Sequence, residues 1–127
     1  MGQSTDAFSR QSVTFATGQS ISGQANLTSL QVLGVGLIIP ATWTAADIGF
    51  EVSNDNGVTW IPVCDAEGAL VKITGISTSV KRVYIAPAEA WVIGAFPLLR
   101  LTSLNTSTGE ALNQSGAKEV TVVRLSS

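Results

Sequence analysis

An all-β domain is predicted by three observations on this 127-residue chain. Apolar residues alternate in short runs, clusters of Gly, Pro, Asn, Asp or Ser break the runs about every ten residues, and no substantial stretch reads as helix. A period of two turns one face of each run toward a core, and turn residues at that spacing fold successive strands back on each other. About nine short strands of this kind make an antiparallel β-sandwich, jelly-roll-like or immunoglobulin-like. The Cys and Trp spacing of a true immunoglobulin domain is missing, because Cys64 stands alone.

Residues 1–10 show no period and read as a flexible arm ahead of a single sandwich domain over 11–127. In 11–16, Val13 and Phe15 share a face; in 19–27, Ile21, Gly23, Ala25 and Leu27 do. Residues 30–39 are apolar on both faces, with Leu33, Val35, Leu37 and Ile39 on one side and Leu30, Val32 and Ile38 on the other. Such a strand is either central or lies in an interface. After Pro40, Thr44 is placed to cap one helical turn before a strand at 48–53, where Ile48, Phe50 and Val52 alternate. Asn54-Asp55-Asn56-Gly57 then turns the chain into a strand at 58–64, since Asn-Gly accepts positive φ. A second turn, Asp65-Ala66-Glu67-Gly68, leads to 69–74. A polar link precedes 80–85, where Arg82 and Tyr84 alternate with Lys81, Val83 and Ile85. Between Pro87 and Pro97, Trp91, Val92, Ile93 and Phe96 suit a short helical turn or an ordered apolar loop. Strands at 98–104 and 118–125 flank a long polar loop.

Composition narrows the chemistry. Seven scattered Lys and Arg against nine Asp and Glu leave a net charge of −2, so no footprint for nucleic acid forms. With no His, imidazole bases, imidazole metal ligands and His-dependent triads are excluded. The longest apolar run, 32–39, is interrupted by Gly34 and Gly36 and is far shorter than the roughly 20 residues of a membrane span. No basic stretch followed by an apolar run opens the chain, so a soluble protein made in a cytoplasm is expected. A domain of this size hides roughly two thirds of its unfolded surface and needs no disulfide or metal to hold it.

One motif stands out. Ser53-Asn54-Asp55-Asn56-Gly57-Val58-Thr59-Trp60 reads S-x-D-x-G-x-T-W and resembles the Asp box of sialidases and related β-propellers. The carboxylate accepts backbone N–H groups inside the turn, Gly supplies positive φ, hydroxyls close the loop and Trp packs underneath. Ser53, Asp55, Gly57, Thr59 and Trp60 are therefore expected to brace a hairpin. A propeller repeats the box in every blade, whereas here it occurs once.

Other candidates weigh less. Asp47 with Glu51, or Asp65 with Glu67, could serve glycosidase-type chemistry, but solvent exposure explains all four. Asp55, Asp65 and Glu67 offer hard oxygens to calcium at spacings that fit no standard loop. Trp43, Trp60 and Trp91 could form a sugar platform, yet each lies beside apolar strand residues, which points to core or subunit packing. No catalytic residue, metal or cofactor is assigned.

Leu37-Ile38-Ile39-Pro40-Ala41-Thr42-Trp43, then Ile48 to Gly57, Leu98-Leu99-Arg100-Leu101-Thr102-Ser103, Leu112-Asn113-Gln114 and Val120-Thr121-Val122-Val123-Arg124-Leu125 follow one another in an order similar to small structural proteins of tailed bacteriophages and prophages. Those chains run an I-x-P-x-x-W segment, an S-x-D-G-G hairpin, an L-R-x-x-S strand and an N-Q turn before a terminal strand. The resemblance spans 35–125, with Asp55-Asn56-Gly57 in place of Asp-Gly-Gly and Leu98-Leu99 in place of a more aromatic run. It implies a non-enzymatic virion protein made in the host cytoplasm, a capsid decoration or cement protein that stabilises the head. Its partners would be the phage major capsid protein and copies of itself, with a trimer favoured and no nucleic acid or membrane. Leu33, Val35, Leu37, Trp91 and Phe96 are the expected interface residues, because the two-sided strand and the apolar loop exceed what one sandwich readily covers. The alternatives are a carbohydrate-binding module using Trp43, Trp60, Asn54 and Asp55, or a tail or neck accessory module.

Overall fold

The structure, a computed structural model, describes residues 7–26, 32–76, 81–85 and 97–126. Among the described residues there are nine antiparallel strands: β1 (Ala7–Phe15), β2 (Ile21–Asn26), β3 (Val32–Ile39), β4 (Asp47–Ser53), β5 (Ile61–Pro62), β6 (Lys72–Ile73), β7 (Arg82–Ile85), β8 (Leu98–Leu104) and β9 (Lys118–Ser126). They correspond one for one to the runs expected from the alternation. Among the described residues there is no helix, and Thr44 caps none.

The strands form one sheet in the order β5-β4-β8-β2-β1-β9-β3-β7, with β6 beside β5 on β4. The expected two separate sheets are thus a single sheet curled into a half-barrel. Two ladders, β1-β9-β3-β7 and β2-β8-β4, meet where Phe15 opposes Ser22. At that corner the Gln11 side chain completes the pairing, its amide group donating to the Asn26 carbonyl and its oxygen accepting the Asn26 N–H at 2.8 Å. The sheet curls because both ladders turn apolar faces inward. Phe15, Leu37, Ile39, Val120 and Val122 from one ladder join Ile48, Phe50, Val52, Leu99 and Leu101 from the other in one core. Trp43 closes an end of it, its ring edge-on to Phe15 at 5.1 Å between centroids.

Three expectations change. β1 begins at Ala7 and pairs along its length with β9, so residues 7–10 belong to the sheet rather than to an arm. The strands expected at 58–64 and 69–74 shrink to two residues each. They share the edge of β4, β5 opposing Glu51 and Val52 and β6 opposing Ile48 and Gly49. Between them the chain leaves the ladder as a hairpin held by the Val71 amide on the Val63 carbonyl at 2.9 Å. β3 is central in its ladder, flanked by β9 and β7, which is one of the two positions its apolar faces allowed.

Candidate functional site

The outer face of β2, β8 and β4 gathers most of the residues with chemistry. Its side chains follow from register: Gln24 opposes Arg100, which opposes Glu51, which opposes Pro62; two residues along, Ile21 opposes Thr102, which opposes Gly49.

The Asp-box turn folds over one end of this face. The Ser53 hydroxyl donates to Asp55 Oδ1 at 2.7 Å and accepts the Gly57 N–H at 2.9 Å, while Thr59 N–H donates to Asp55 Oδ1 at 2.8 Å. Asn56 and Gly57 both take positive φ, 64° and 86°, so the turn has the backbone that Asn-Gly favours. First the Thr59 amide and then the Ser53 hydroxyl hold the Asp55 carboxyl down to about 2, from 3.8. Both donors on Asp55 Oδ1, the Ser53 hydroxyl and the Thr59 amide, belong to the turn itself. Trp60 then lies against the sheet, with the Arg100 guanidinium 4.5 Å from its ring centroid.

Arg100 is held twice, by the Trp60 ring and by Glu51, whose Oε1 accepts its Nε–H at 2.7 Å. At the opposite end Lys72 Nζ lies 3.2 Å from Asp47 Oδ2, and Asp47 is buried. That corrects the expectation of a solvated Asp47: Asp47 sits at the start of β4 opposite Leu104, and Lys72 supplies the counter-charge that its burial requires. Glu51 is half-buried and paired rather than free. Asp65 behaves as a turn residue, its Oδ1 accepting the Glu67 and Ala69 amides at 2.8 and 3.0 Å, and Glu67 is exposed.

Between the two ion pairs lies an apolar groove of about 160 Å³, lined by Ile21, Gly49, Pro62, Leu70, Thr102 and Leu104 among others. Gly49 makes its floor. A Cβ there would fall 2.6 Å from Thr102 Oγ1 and 3.0 Å from Leu104 Cδ1, so a side chain would displace both walls. Ile21 and Leu70 on the rim are each 41% exposed.

The expected interface residues fare differently. Leu37 is fully buried in the core, which removes it from any surface, because its strand turns that face inward. The side chains of Leu33 and Val35 lie outside the described residues, as do Trp91 and Phe96. Trp43 is a core residue whose indole N–H donates to the Ala46 carbonyl at 3.1 Å, so it offers no sugar platform. Asn54 and Asp55 are exposed and Trp60 is half-buried, with Arg100 over one side of its ring. Asp55, Asp65 and Glu67 do not converge; among the described residues no three His, Cys, Asp or Glu are grouped to hold a metal.

Sequence reasoning missed the partnership of Arg100 with Trp60 and Glu51, the burial of Asp47 and the whole groove. An isolated Arg flanked by leucines in a strand was the available signal. No protein-family model matches the chain, and no curated protein matches it either. Among the described residues, no helix is long and apolar enough to cross a membrane.

Proposed function

We propose that this chain is a non-enzymatic structural protein of a tailed-phage virion, a capsid decoration or cement protein that docks on the major capsid protein as a homo-oligomer, with a trimer favoured. The observation that supports it is the outer face just described. An apolar groove with a half-exposed rim runs between Glu51–Arg100 and Asp47–Lys72, and each of these four charges is already paired inside the protein. Such a surface can bury area against a partner. The order of motifs over 35–125 supplies the virion part of the reading. In this reading the two ladders are the layers of a sandwich joined at the β1–β2 corner.

The test is a comparison of particles with and without the protein. A decoration protein adds binding energy to the assembled shell, so depleted particles release DNA at a lower temperature. Equal thermal stability, with density confined to the tail on imaging, rejects the head and favours a tail or neck accessory role. Sedimentation of the isolated protein as a monomer at micromolar concentration rejects the homo-oligomer.

One observation favours a carbohydrate-binding module: Trp60 is half-exposed next to the Asp55 turn. Retention on immobilised glycans that Trp60→Ala abolishes would establish that reading in place of the first.

A further inference from the structure

We infer that the outer face of β2, β8 and β4 docks an extended segment of a partner protein carrying an Asp or Glu and, two residues along, a branched aliphatic side chain. The inference rests on the reading of this face as an assembly surface and names what that surface recognises.

The acidic position is set by Arg100. A guanidinium has five N–H donors, and Arg100 spends one, on Glu51. Among the described residues its Nη groups donate to no protein acceptor. Glu51 occupies the Nε, which leaves the end-on edge of the guanidinium with two parallel N–H groups, the arrangement that takes a carboxylate bidentately. The Trp60 ring and Glu51 fix the plane of that fork before any ligand arrives, so little side-chain entropy remains to be lost on binding. The Arg100 side chain is 23% exposed, enough to be reached. On its other flank the exposed Gln24 lies opposite it in register, with a side-chain amide that has no protein partner among the described residues.

The aliphatic position is set by the groove. Thr102 follows Arg100 by two residues on β8 and forms part of the groove wall, and the two lie about 6.8 Å apart along the strand. An extended partner repeats its side chains on one face at the same spacing, so a carboxylate over Arg100 brings the residue two positions on to the groove beside Thr102, between Ile21 and Leu70. The groove's volume of about 160 Å³ accommodates a branched aliphatic side chain.

The test titrates the whole protein with the blocked peptide Ser-Glu-Ser-Leu-Ser, following the Trp60 indole and Arg100 Nε–H signals by NMR. The Gln-for-Glu peptide should bind about tenfold more weakly, the loss expected when a charge-assisted hydrogen bond is removed. Moving Leu next to Glu should weaken binding similarly. Arg100→Gln should erase the preference for Glu over Gln, and Ile21→Ser should weaken both peptides equally. Equal binding of the Glu and Gln peptides overturns the inference, as does binding only by a peptide whose free C-terminal carboxylate follows Leu. The two readings fail separately. If Ile21→Ser abolishes attachment to particles while the peptides show no acid preference, the assembly surface stands and its recognition rule falls; selective peptide binding with unchanged particle attachment gives the reverse.

Discussion

Two loops are pinned to this half-barrel by opposite means. The turn at 53–60 is braced from within, the side-chain bonds of Ser53 and Asp55 reaching at most four residues along the chain. The turn at 40–46 is pinned by Gln114, 70 residues away from Thr44. Gln114 Oε1 accepts the Thr44 N–H at 2.9 Å, and its Nε2 donates to the Thr44 carbonyl at 3.2 Å and to Ser103 Oγ at 2.9 Å. Its own backbone pairs with the turn after β1, through Gly18 N–H and the Gln19 carbonyl at 2.9 Å each. Ser115 adds a hydroxyl contact to Thr44 at 2.9 Å. The difference shows what each device stabilises. The local brace specifies the shape of one turn in water, whereas the buried amide locks three separate segments and must be satisfied completely, because it has no solvent to fall back on.

The contrast can be broken at its strongest point first. Gln114→Leu preserves bulk but strands the Thr44 N–H, the Thr44 carbonyl and the Ser103 hydroxyl, so unfolding in urea should show a loss of about 3 kcal/mol. A loss below about 1 kcal/mol would mean that water replaces the amide and that the distant lock is no stronger than a surface turn. Trp60→Ala should come next, at about 1–2 kcal/mol, since it removes a half-buried ring and its cation–π contact but leaves the Asp55 bonds in place.

Asp55→Ala should lower the melting temperature by about 3 to 6 °C, the scale of a lost side-chain-to-backbone cap in a domain of this length. Unchanged melting with lost ligand or particle binding would reassign Asp55 from brace to contact residue. The smallest effect is on pH. The folded carboxyl titrates at about 2 against 3.8 for an unperturbed one, so its contribution is complete above about pH 4 and disappears as the pH falls to about 2. Asp55→Asn should flatten the stability profile across that window in acid titrations followed by circular dichroism, while Gln114→Leu should leave its shape unchanged.

Within the outer face, the two ion pairs repeat the contrast in weaker form. Glu51 and Arg100 face each other directly across β4 and β8, and both remain partly exposed. Asp47 is enclosed and depends on Lys72 from a strand that arrives 25 residues later. Neither partner was legible in the sequence, because a carboxylate at the start of a strand looks solvated until the pairing strand is known.

What the sequence by itself determined is local. Alternation located the nine strands found among the described residues, since burying one face of a strand needs only the period of two that its own residues carry. The Asp-box spacing anticipated a turn closed by a carboxylate on a backbone N–H, because those partners lie within a few residues of each other. Tertiary structure decided everything that required two distant segments to meet. It joined the expected two sheets into one at Phe15 and Ser22, drew residues 7–10 into β1 along β9, and enclosed Leu37 in the core. It also set Arg100 between Trp60 and Glu51, where an otherwise ordinary strand arginine becomes a fixed fork beside a groove. The physical reason is that hydrogen-bond and packing partners across a sheet are chosen by register and curl, and both depend on the entire inward-facing surface rather than on any one segment.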